Sequence, residues 1–119
     1  MGKASTNMLF ILGTFLRETS KRFESAPLQV SISKAYFIDA IQKLGLVDKR
    51  ERSVYKNLEL LEAEGFIFYK NKNLRLSKKG FNVYSKLYAD YLELKHMVEV
   101  ISGSKLVIKE RVLQTKLVG

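Results

Sequence analysis

The chain has 119 residues, 46% of them hydrophobic, with no cysteine, a single histidine (His96) and a formal net charge of +9. A length near the usual span of about 100–200 residues argues for one domain. The composition excludes disulfides, thiolate metal sites, cysteine nucleophiles and paired-histidine metal sites. The excess of 21 Lys and Arg over 12 Asp and Glu predicts attraction to a polyanion, nucleic acid ahead of an anionic membrane.

That charge is concentrated mid-chain. Residues 49–80 hold nine basic against four acidic residues, whereas residues 81–119 hold six against four. The apolar run MLFILGTFL (Met8–Leu16) is too short to span a bilayer, and Arg17-Glu18 follows it where a signal peptide would place small residues. The opening MGKAST matches the loose myristoylation pattern, read here as coincidence.

In chain order, Asn7 is expected to cap a helix from Met8 to about Thr19, because its side chain can accept an orphan N–H of the first turn. Leu9, Leu12, Phe15 and Leu16 make its apolar stripe, broadened by Phe10 and Ile11. A helix apolar over so much of its girth is usually covered on two sides. The segment KRFESAP reads as a loop ending at Pro27, and LQVSI (Leu28–Ile32) alternates like a short strand.

Ser33 is expected to open a second helix, with Ala35, Ile38, Ile41 and Leu44 inward and Phe37 beside them. Gly45 would end it in the left-handed conformation, and Leu46 and Val47 would pack inward. Asp48 is then expected to cap a third helix over residues 49–64, stopped by Gly65. Val54, Leu58 and Leu61 form its inner edge, with Arg50, Ser53, Lys56 and Asn57 mostly opposite.

A hairpin over residues 66–77 follows, with Asn71-Lys72-Asn73 near its tip, since Asn tolerates the positive φ of tight turns. From Lys78 a long helix is expected to about Ile101. At about 24 residues it would measure about 36 Å. Tyr84, Tyr88 and Tyr91 step by four and three residues, as a coiled-coil seam does. Lys105–Leu117 fits either helix or strand.

The order helix, short strand, helix, turn, helix, hairpin is that of a winged helix-turn-helix domain. The run RSVYKNLELLEAEGFIFYKNKNLRLSKKG resembles the recognition helix and wing of the MarR and PadR groups of transcription regulators. The matching features are Val54, Leu58 and Leu61, the Glu-Gly-Phe-Ile entry to the hairpin, and the Leu-Ser-Lys-Lys-Gly exit. The resemblance covers Ser33 to about Leu87. One departure is Glu51, which stands six residues after the turn glycine, where tight helix-turn-helix units carry an apolar residue. The first inward residue is Val54, which lengthens the turn by about three residues.

The implied fold class is mainly α (α+β): a winged core over about 7–80 with an N-terminal helix, and a C-terminal helical extension over 81–119. The implied function is dimeric, sequence-specific binding of double-stranded DNA in transcription regulation, in the cytoplasm on the nucleoid. A helix fits the major groove, and Lys49, Arg50, Arg52, Ser53, Tyr55, Lys56 and Asn57 are its candidates to reach bases and phosphates. Lys70, Asn71, Lys72, Asn73 and Arg75 are the candidates of the hairpin. Glu59, Glu62 and Glu64 lie towards the far end of the third helix, leaving its N-terminal half the cationic part. Phe10, Tyr84, Tyr88, Tyr91, Leu94, Val98 and Ile101 are the candidates for the homodimer contact.

The competing readings are a winged-helix adaptor between proteins and a chromatin-like coat on DNA without sequence preference. Regulators of the resembled kind often carry a small-molecule effector pocket. Phe15, Tyr84 and Tyr88 would line it here, although an aromatic stripe at helical spacing serves a core equally well. Neither a glycine-rich phosphate loop nor a nucleophile elbow nor a paired-carboxylate constellation occurs. No enzyme activity, cofactor, metal or membrane contact is expected.

Overall fold

A computed structural model describes residues 1–47 and 51–103. Helix α1 (Lys3–Thr19) begins five residues ahead of the expected start, with Gly2 rather than Asn7 at its N-cap. Lys3 and Ala4 are good helix formers, and the Gly2 carbonyl accepts both the Thr6 N–H (2.9 Å) and the Thr6 hydroxyl (2.8 Å). No side-chain cap is needed, and Asn7 lies inside the helix. Met8, Leu9, Leu12 and Leu16 are buried.

The stretch expected as a strand over Leu28–Ile32 divides differently. Pro27–Gln29 forms a 3-10 turn, and strand β1 is only Ile32–Ser33. Pro27 presets the first turn position and has no N–H to give a ladder. Ser33 then caps helix α2 (Lys34–Lys43), its hydroxyl accepting the Tyr36 N–H at 3.3 Å. The buried face of α2 is Phe37, Ile38 and Ile41; Ala35 and Leu44, expected inward, are exposed.

Gly45 (φ +68°) and Gly65 (φ +80°) both sit in the left-handed region that side chains disfavour. Each closes its helix with the same pair of bonds. Gly45 and Leu46 donate to the carbonyls of Gln42 and Ile41; Gly65 and Phe66 donate to those of Glu62 and Leu61. The outcomes differ in packing, since Phe66 is buried whereas Leu46, expected inward, is half exposed.

Helix α3 (Glu51–Ala63) buries Val54, Leu58 and Leu61 and packs on α1. Its expected cap Asp48 lies outside the described residues. Strands β2 (Ile67–Lys70) and β3 (Asn73–Leu76) follow, and the antiparallel sheet has the order β1-β3-β2. Lys70 pairs with Asn73, so the loop is two residues, Asn71 (φ 53°) and Lys72 (φ 63°). Positive φ at both central positions is the type I′ geometry that matches strand twist. Asn73, expected at the tip, belongs to β3.

Helix α4 (Lys78–Gly103) starts from Ser77, whose hydroxyl accepts the Gly80 N–H (3.0 Å) and donates to the Gly65 carbonyl (2.6 Å). The chain divides into compact units Met1–Lys86 and Leu87–Gly119. In the first, Tyr84 is fully buried. Its ring lies edge-on to Phe23 (5.9 Å) and tilted on Phe10 (5.9 Å). Its hydroxyl accepts from Arg17 Nε at 3.1 Å, and the Arg17 guanidinium covers the Phe23 ring at 4.8 Å. Gly13 faces the same ring so closely that a Cβ there would overlap it. In the second unit the described residues are helical to Gly103, two residues past the expected end. Residues 104–119, expected as helix or strand, lie outside the described residues.

The protein is therefore mainly helical, with four α-helices and one small antiparallel sheet among the described residues. None of its described helices is long and apolar enough to cross a membrane.

Candidate nucleic-acid interface

The expected polar residues of helix α3 divide between two sides. Arg52, Ser53, Tyr55 and Lys56 are exposed and Asn57 is half-buried. Ser53 and Asn57 line an open cavity of about 180 Å³ with Asn7, Met8 and Val47, which turns them towards α1. Arg52, Tyr55 and Lys56 remain as the outward set. Lys49 and Arg50 lie outside the described residues.

The hairpin presents Lys70, Asn71, Lys72 and Asn73 as exposed side chains. Arg75 is placed differently. It is half-buried, with Nη1 donating to the Leu28 carbonyl at 3.4 Å and its guanidinium 4.8 Å from the Phe68 ring centroid. Phe68 and Arg75 are cross-strand partners, so alternation puts both on the same sheet face. Arg75 holds the hairpin to the segment before β1 instead of extending from its tip.

The two elements meet at Lys34. Its ammonium lies 4.4 Å from the Tyr69 ring centroid on β2 and 5.1 Å from the Tyr55 ring centroid on α3. Both are within cation–π range. Its backbone N–H donates to the Lys72 carbonyl at 3.0 Å, tying the start of α2 to the hairpin turn. Lys34 and Tyr69 were not among the expected site residues. No local signal marks Lys34, whose place depends on β1 pairing beside the hairpin. Tyr69 alternates with Ile67 along β2, and that spacing could have pointed it to the same side as buried Ile67.

Around this contact, α3 carries exposed Arg52 and Lys56, the hairpin carries exposed Lys70 and Lys72, and half-buried Lys34 lies between the two elements. Glu59 and Glu62 are exposed in the second half of α3. Amines and guanidinium groups of this kind suit phosphate oxygens, and Arg adds a fork that matches base edges. Among the described residues no group of acidic and histidine side chains could hold a metal ion.

Of the expected dimer residues, Tyr84 has no surface left; its ring and hydroxyl are used within the first unit. Its place in a four-and-three pattern misled, because the same spacing serves a core. Phe10 is half-buried on the Tyr84 ring and lines an apolar hollow of about 200 Å³ with Ile11, Thr14, Phe15 and Leu46. Neither Tyr84 nor Tyr88, expected with Phe15 around an effector pocket, lines that hollow. In the second unit, Tyr88 is half-buried and lies 5.8 Å from exposed Tyr91 between ring centroids, while Leu94, Val98 and Ile101 are exposed. No family model, no curated protein and no solved structure matches the chain.

Proposed function

We propose that the protein is a winged helix-turn-helix regulator that binds duplex DNA as a homodimer. On this reading α3 enters the major groove with Arg52, Tyr55 and Lys56, and the hairpin lays Lys70 and Lys72 on the adjacent backbone or minor groove. The observation that carries it is the Lys34 ammonium held by Tyr55 of α3 and Tyr69 of β2. It ties together a helix and a hairpin that each carry exposed cations, the two elements that a groove and its flanking phosphates would require. The net charge of +9 supplies attraction to phosphate and predicts affinity that falls steeply with salt. A cytoplasmic, nucleoid-bound location follows from that partner.

The test is selection of bound duplexes from a random pool, followed by titrations at several salt concentrations. A two-fold symmetric motif, with half-sites about one helical turn apart, is the expected result. Enrichment without a motif would reassign the protein to the coating class. No duplex affinity at moderate salt would reject the DNA reading altogether.

A further inference from the structure

The second unit carries an apolar stripe with coiled-coil spacing, half-buried at Leu87 and exposed from Tyr91 onward. Leu87, Tyr91, Leu94, Val98 and Ile101 step by four, three, four and three residues, one seam of a left-handed pair. Tyr91, Leu94, Val98 and Ile101 are 42%, 59%, 60% and 54% exposed. This seam differs from the one through Tyr84 and Tyr88, since Tyr84 is consumed by the core. Charge flanks the new seam asymmetrically. With Tyr91 and Val98 at a and Leu87, Leu94 and Ile101 at d, Asp90 falls at g and Lys95 at e. These are the only charged flanking positions over residues 87–103.

We propose that residues 87–103 pair with the same residues of a second copy as a parallel, in-register, two-stranded coiled coil. The proposal rests on the two-copy part of the reading above and not on DNA. In a parallel pair each g residue faces the partner's e residue five positions on. Asp90 thus meets Lys95 of the partner, twice by symmetry. In an antiparallel pair e faces e and g faces g, so the two opposite charges never meet. Within a parallel coil, Val98 at a beside Leu94 at d is the combination that favours two strands, and the parallel direction itself rests on the Asp90–Lys95 pairing.

The cysteine-free chain makes the test direct. Leu94→Cys and Ile101→Cys are introduced singly into the full-length protein, and interchain disulfide formation is followed without DNA. Exposed Ala89→Cys, on the outer face, is the collision control. A parallel pair crosslinks at both d positions well ahead of the control, because each meets its own copy. An antiparallel pair cannot. Were residue 94 opposite itself, the two copies of residue 101 would stand about 21 Å apart, beyond the roughly 7 Å limit between Cα atoms.

Crosslinking at one position only, at neither, or no faster than the control overturns the proposal. A second measurement is the dimer dissociation constant by sedimentation. Asp90→Lys is expected to raise it roughly tenfold, and adding Lys95→Asp to the same chain to restore it. An unaltered constant in Asp90→Lys would also overturn it. Loss of DNA binding with both crosslinks intact would reject the DNA reading and leave the coiled coil standing.

Discussion

Tyr84 and Tyr91 stand seven residues apart on one helix and have opposite fates. Tyr84 is completely buried among Phe10, Phe23, Gly13 and Arg17; Tyr91 is 42% exposed among residues with equally open side chains. Up to Lys86, α4 is a core element that closes the first unit. From Tyr91 its apolar residues are exposed, where they cost solubility unless another surface covers them. The same residue type at the same helical phase does structural work in one unit and is available for association in the other.

The sharpest way to break this contrast is truncation at both tyrosines. Tyr84→Ala is expected to lower the unfolding free energy by about 3–5 kcal/mol, as for other large aromatic residues lost from a core. Tyr91→Ala, compared at concentrations where the chain is monomeric, should change it by about 0.5 kcal/mol or less. Denaturant titration of the two variants measures both. Equal losses would mean that Tyr91 is as much a core residue as Tyr84.

Gly13→Ala sharpens the same point from the other side of the ring. Helix propensity alone predicts a gain of about 1 kcal/mol in a helix interior. Overlap of the new Cβ with the Tyr84 ring predicts a loss of about 1–3 kcal/mol from overpacking. The loss is expected to win, because the ring is fixed by Phe23 and Arg17. A thermal melt gives the sign.

Smaller effects separate the two proposed surfaces. Arg52→Ala or Lys56→Ala should weaken binding to the selected duplex by about 1–3 kcal/mol and narrow the gap to mismatched sites. The dimer constant should not change. Lys72→Ala should weaken all duplexes about alike and lower the salt slope by about one. Gel-shift titrations across salt distinguish these patterns, and equal small effects from all three would count against groove reading by α3.

What the sequence disclosed was its local chemistry. The Ser33 cap, the Gly45 and Gly65 stops, the hairpin and the inward set Val54, Leu58 and Leu61 all depend on neighbours within a turn or two, and all lie where spacing puts them. What it hid depends on distant partners. Arg75 reads as one more hairpin cation until Leu28 is brought against it. The 3-10 turn at Pro27 and the brevity of β1 follow from how little chain remains before the Ser33 cap. Lys34 acquires a role only because β3 pairs with β1 and delivers Tyr69 to it. Tyr84 had the spacing of both a seam and a core, and only packing against Gly13 distinguishes the two.

The hairpin turn carries a last consequence. Lys72 holds a φ of 63°, a conformation that costs an ordinary L-residue about 1–2 kcal/mol. Glycine would occupy it without that strain and complete the Asn-Gly pair that type I′ turns prefer. Lys72→Gly is therefore expected to give a sturdier hairpin, by about 0.5–1 kcal/mol after the entropy of the freer unfolded chain is counted. The same change should bind DNA less well, because the tip loses its cation. On the proposed reading, an ammonium group kept at a position better suited to no side chain at all exchanges fold stability for contact with an anion.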